Sequence, residues 1–302
     1  MSYSATSDDE QFAVSHQQSF CHLDPNDSEE NMARVRRSPR GCPGWLAVGP
    51  LVLAVVALCA SPTLAGPTDS AVNWLAATQR TDGAWSEAIP VQATAEVVST
   101  LRDVAPSHTA IALGTAFLQA FQPTNSDALS RVLAVAGGAP ANLILLQNAD
   151  GGWGLAADFG SEAWTTALAL RALVATGNAT SSNATQAVNW LLGGQLSDGG
   201  WGYTPGESSR TSVTAEVARA LAIAPRNLDI QASLNRAVSY FQGKRGADGG
   251  YGDEGSTPLE SALVIRALAA AGADLVPITT ATLAYLTNTH RDRPGESIFS
   301  SR

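Results

Sequence analysis

Glu96 and Glu216 are carboxylates set into otherwise apolar stretches, each five residues before a leucine, Leu101 and Leu221. Two acids brought to one cavity could act as general acid and base, because burial and mutual repulsion move a carboxyl pKa toward the working range. Glu216 also stands three residues before Arg219, the spacing of an ordinary ion pair on one helix face, and that pairing is the simpler reading. Glu260 and Trp164 open two further apolar stretches, where they could rim a cavity mouth. A helix start favours both for local reasons, the acid through the helix dipole and the indole through packing. Arg171, Arg219 and Arg266 recur inside a shared Arg-Ala-Leu string, a set that could hold an anionic head group such as a diphosphate. Repetition favours pairing with acids of neighbouring repeats, since every copy needs the same interface whereas a site is needed once. Asp253-Glu254 lacks the alternating oxygens of a calcium loop, and the isolated His108 and His290 support no catalytic triad. Cofactor and metal are both expected to be none.

The elements that must position these residues are repeats. Ala71-Val72-Asn73-Trp74-Leu75 recurs unchanged as Ala187-Val188-Asn189-Trp190-Leu191, with a relative at Ala237-Val238-Ser239-Tyr240-Phe241. Eight residues after each aromatic comes a turn: Asp82-Gly83-Ala84-Trp85, Asp198-Gly199-Gly200-Trp201 and Asp248-Gly249-Gly250-Tyr251, and a further copy is Asp150-Gly151-Gly152-Trp153. Gln79, Gln147 and Gln195 precede three of the turns at a fixed offset, and Arg245 takes that place in the fourth. After each turn a second helical segment is predicted, at 93–104, 164–176, 212–224 and 258–271, with a weaker one at 127–136. These second segments are apolar nearly all round and call for burial on most of their surface, whereas the first segments are more amphipathic. A unit of helix, glycine-rich turn and helix, about 48 residues long, marks a repeat architecture. First helices fall at Trp74, Phe117, Asn142, Trp190, Tyr240 and Tyr285, giving five to six hairpins with no evident second helix after the last.

Asp-Gly-Gly reverses the chain: glycine reaches positive φ freely, and the aspartate accepts bonds from freed backbone N–H groups. The aromatic after the turn is expected to lie over the glutamine amide and tie one hairpin to the next. Gln79, Asp82, Trp85, Gln147, Asp150, Trp153, Gln195, Asp198, Trp201, Asp248 and Tyr251 are therefore read as structural staples.

Gln-x-x-Asp-Gly-Gly-Trp-Gly, at 147–154 and 195–202, resembles the QW repeat of the prenyltransferase and squalene-hopene cyclase family, over about 220 residues of the chain. The resemblance implies an all-α fold, an α/α toroid with an inner ring of helices inside an outer one and a central apolar cavity. The family's chemistry does not carry over with it. The Asp-x-Asp-Asp acid string of the cyclases is absent from the sequence, and so is an aspartate-rich diphosphate motif after residue 65. The zinc site of the protein prenyltransferases needs a cysteine, and Cys21, Cys42 and Cys59 all precede residue 66.

Charge and export complete the expectation. The 302 residues carry 18 Lys+Arg against 27 Asp+Glu, a net charge of -9, with Lys244 the single lysine. Such a balance argues against a nucleic-acid partner. Residues 1–31 read as an acidic disordered extension or a start placed too early, and 293–302 as a flexible tail. Arg34, Arg36, Arg37 and Arg40, the apolar run 51–60 and Thr63-Leu64-Ala65 have the order of a secretory signal over 32–65. Cleavage there leaves a toroid domain at 66–292 in a secreted or periplasmic protein, with no stable membrane span; an uncleaved signal anchor is the rival. The function expected is a non-catalytic binding module for an apolar, isoprenoid-like ligand or a protein partner. A terpene-cyclase-like or prenyltransferase-like enzyme, with Glu96, Glu216 or Glu260 as acid, is the alternative, and a structural envelope scaffold the third reading.

Overall fold

The computed structural model describes residues 66–291, so the leader, the cysteines and the tail lie outside the described residues. Helices alternate between two roles. The first-segment helices are α1 (Pro67–Ala77), α3 (Ala110–Ala120), α5 (Ala141–Leu145), α7 (Ser182–Gly193), α9 (Leu228–Gly243) and α11 (Val276–Arg291). The second-segment helices are α2 (Pro90–Val104), α4 (Ser126–Ala136), α6 (Ala163–Ala175), α8 (Thr211–Ile223) and α10 (Pro258–Ala271). Helix starts follow local chemistry: prolines open α1, α2 and α10, and Asn125, Ser181, Asn227 and Thr257 accept a backbone N–H of the first turn of α4, α7, α9 and α10.

The second-segment helices pack side by side in chain order, α2 on α4, α4 on α6, α6 on α8 and α8 on α10, with first-segment helices against their outer faces. Burial follows that arrangement. Thr165, Thr166 and Ala167 to Leu170 of α6 and Val213 to Leu221 of α8 are buried without a break, whereas α7 buries one stripe, Ala184, Ala187, Val188 and Leu191. Arg266 of α10 reaches back to Glu96 of α2, so an ion pair links the first and last inner helices and the inner set forms a ring. The described residues hold five complete hairpins plus the unpaired outer helix α11.

The turns join this ring together, by a division of labour different from the one expected. The tryptophan ties its turn to its own hairpin. Trp85, Trp153 and Trp201 donate their indole N–H to Leu75, Leu143 and Leu191 carbonyls at 2.6, 2.8 and 2.7 Å. Their backbone N–H groups donate to Thr94, Thr166 and Thr214 on the inner helices. The glutamine reaches the next hairpin. Nε2 of Gln79, Gln147 and Gln195 donates to its own turn (Gly83, Gly151, Gly199) and to the next outer helix (Ala110, Asn183, Ser233), all between 2.8 and 3.0 Å. Asp82, Asp150, Asp198 and Asp248 accept the N–H two residues on, closing the turn.

The fourth junction solves the same problem with other residues. With Arg245 in the glutamine's place, Thr282 of α11 donates its hydroxyl toward Gly249 and Ile278 carbonyls, at 2.8 and 3.1 Å. These are the counterparts of the carbonyl pair that glutamine bridges elsewhere. The residues equivalent to Thr282 at the other junctions are Gly114, Ala187 and Ala237, small enough to admit the amide. Gln195→Ala, which strands Gly199 and Ser233 carbonyls, is expected to lower stability by about 1–3 kcal/mol, read as a reduced midpoint in urea at unchanged slope.

Candidate functional site

The side chains that could do chemistry gather in the middle of the ring. The inner helices are aligned by their shared leucine (Leu101, Leu133, Leu173, Leu221, Leu268), and two residues before it they carry Ser99, Arg131, Arg171, Arg219 and Arg266. Three residues further back, Glu96 and Glu216 supply the acids, and Asp127 joins them from α4. Glu96 accepts from Arg131 at 3.1 Å and from Arg266 at 3.3 Å, so it bonds helices that are not neighbours. Glu216 accepts from Arg171 through one oxygen and from Arg219 at 2.9 Å through the other. Arg131 also forks onto Asp127 at 2.8 and 3.3 Å. The inner ring is thus filled by a layer of guanidinium groups bridged by carboxylates, where the resemblance implied an apolar hollow.

The electrostatics are those of a structural network. Burial alone would push the Glu216 carboxyl up, but Arg171 and Arg219 more than offset it and hold it below the ordinary range. Arg171 is likewise penalised by burial yet raised by Glu216. Arg219 shares Glu216 but goes the other way: burial lowers it, and the facing Arg171 and Arg266 add to the drop. Glu216 is 2% exposed and Glu96 41%, so the network opens to solvent on the α2 side. A hollow of about 10 Å³ lies beside it, lined by Glu96, Ser99, Ser130, Arg131, Leu168 and Arg171 among others.

The remaining sequence candidates sit elsewhere. Glu260 accepts the hydroxyl of Thr257 at 2.9 Å in the N-terminal turn of α10. Trp164 packs tilted on Tyr203, ring centres 6.5 Å apart, at the start of α6. Arg171 and Arg266 pair with Glu216 and Glu96 of other helices, and Arg219 pairs with Glu216 three residues before it on its own helix. Sequence reasoning missed Arg131 and Asp127, although Arg131-Val132-Leu133 is a worn copy of Arg-Ala-Leu and Asp127 stands four residues before that arginine.

A second hollow lies outside the ring, a groove of about 610 Å³ between α9 and α11. It is lined by Asn235, Val238 and Gln242 on one side, Pro277 and Ile278 on the other, and Arg245 and Tyr251 at its base. It sits at the junction where arginine replaces the glutamine staple. Among the described residues no three His, Cys, Asp or Glu side chains converge as metal ligands, and no helix is long and apolar enough to cross a membrane.

Against known proteins, no family model and no curated protein matches the sequence. Solved structures do. ent-Copalyl diphosphate synthase from Streptomyces platensis is 21% identical with a TM-score of 0.54, over 67% of this chain and 43% of that one. The type II terpene cyclase MstE from Scytonema is 20% identical with a TM-score of 0.43, over 72% of this chain and 61% of that one. The chain thus spans less than two thirds of the length of either protein. The alternating helices, the ring they form and the likeness to the first of these structures together give this chain the all-α toroid fold of the terpene cyclases.

Proposed function

We propose that this chain is an exported, non-catalytic toroid module that acts by presenting its outer surface to a protein partner. One observation carries the reading: both glutamates in the middle of the ring are bonded to arginines, and Glu216 is held in its ionised form. A general acid for alkene protonation must carry a proton and face its substrate, whereas Glu216 is held ionised with both oxygens turned to arginines. Space beside the ring's acids argues in the same direction, since pockets for small organic ligands typically enclose about 300–1,000 Å³. The hollow that Glu96 lines is about 10 Å³. Exposed Leu155, Phe159 and Tyr203, on loops that follow the second and third glycine-rich turns, offer apolar contact area at the surface.

Incubation of the purified protein with geranylgeranyl diphosphate and with squalene, followed by gas chromatography and mass spectrometry, is expected to return both substrates unchanged. A cyclised product that disappears in Glu96→Gln would overturn the reading and restore the enzyme. Export belongs to the same proposal. N-terminal sequencing of secreted material is expected to begin at Gly66, and a chain retained with residues 32–65 would support the signal anchor.

A further inference from the structure

We propose that the middle of the ring is a binding site for a single halide ion, chloride under ordinary conditions. The charge count motivates it. Arg131, Arg171, Arg219 and Arg266 each meet a carboxylate, but they share only Glu96, Glu216 and Asp127, so the network carries one more positive charge than negative. Excess positive charge in a part-buried cluster is costly, and Arg219 feels the repulsion of Arg171 and Arg266 across the ring.

Position follows from the repeat register. Each inner helix contributes one residue to the arginine layer, and α2 alone contributes a small one, Ser99. The void of about 10 Å³ lies beside that serine, bounded by Arg131 and Arg171 and by the apolar walls of Ala95, Ala134, Val135 and Leu168. Ser130 also lines it, and its hydroxyl is fully buried with no hydrogen-bond partner among the described residues. Guanidinium groups carry only donors, and serine hydroxyls can turn to donate, so what the void wants is an acceptor bearing negative charge. Glu96, which also borders it, is already engaged by Arg131 and Arg266. Size narrows the class of anion: a hollow near one water sphere takes a monatomic ion after slight expansion more readily than phosphate, sulfate or an isoprenoid diphosphate.

Thermal unfolding of the full chain in sodium chloride against sodium gluconate, at fixed ionic strength, tests this. The expected result is a Tm that rises with chloride and follows a binding curve, together with a single anomalous bromide peak between Ser130 and Arg171 in crystals grown in bromide. Ser130→Ala removes one donor and leaves no buried partner stranded, so it is expected to fold and to move the chloride dependence to about tenfold higher concentration. Ser99→Ala serves the same purpose should the first variant not fold. Equal Tm in both salts, a Tm that changes linearly without saturation, or bromide density only at the surface would each overturn the proposal. None of these outcomes bears on whether the protein turns over an isoprenoid.

Discussion

Glu216→Gln is expected to lower the unfolding free energy by about 3–5 kcal/mol, the range for breaking a buried ion pair from one side, and Tm by about 10 °C. The reason lies in what stays behind. Arg171 and Arg219 keep their charges inside the ring with no carboxylate to bridge them, and both face other arginines. A neutral amide can still accept one hydrogen bond, so the loss is chiefly electrostatic. The same residue sets an acid dependence of known sign. Because the folded-state pKa of Glu216 lies below its unfolded value, its stabilisation is complete above the ordinary glutamate pKa of about 4.3 and is lost as pH falls through the folded value. Urea midpoints measured from pH 6 down to pH 2 should therefore fall less steeply for Glu216→Gln than for the native protein. Parallel curves would show that Glu216 does not carry the network.

Gly199→Ala is expected to cost about 2–5 kcal/mol, for two separable reasons. Gly199 has φ of +89°, a conformation that disfavours any side chain, and an added Cβ would lie 2.4 Å from the carbonyl oxygen of Arg236 on the next outer helix. Backbone of a packed helix cannot yield as a side-chain tip can, so the two hairpins must separate. Gly177→Ala isolates the first reason: its φ is +79°, but nothing lies within 4 Å of the added carbon. It should cost only about 1–2 kcal/mol. If calorimetry gives the two variants equal losses, the close approach of turn to helix is not what holds neighbouring hairpins together. Gly83 and Gly249 repeat the geometry, with the added carbon 2.5 and 2.8 Å from the carbonyl oxygens of Leu113 and Ala281.

These two positions differ in how legible they were. The turn glycines could be read because Asp-Gly recurs at a fixed distance from an aromatic, and chain reversal at such a string needs no knowledge of the partner. Helix existence and the inner or outer role followed from composition: α6 and α8 have no polar face wide enough for water. What the string could not reveal was the direction of each bond. Gln195 and Trp201 sit close in sequence and both carry an N–H, so either could have reached the next hairpin; only packing assigns the glutamine outward and the indole back to Leu191. Thr282 was invisible for a similar reason, since it replaces a staple from the receiving side. In the ring's middle, aligning the leucines was enough to find Arg171, Arg219 and Arg266. That they gather there with Arg131, where the resemblance implied a hollow, rests on ion pairs between helices far apart in the sequence.

The clasp between Arg266 and Glu96 joins residues 170 positions apart, whereas the glutamine staples span 31 to 38 positions. Folding can therefore spread from hairpin to neighbour with little loss of chain entropy at each step, and the fastening of the last inner helix to the first comes at the end. That fastening is a part-exposed ion pair, the kind that dissolved electrolyte weakens. Concentrated salt would then spring the circle into a horseshoe while leaving each hairpin helical.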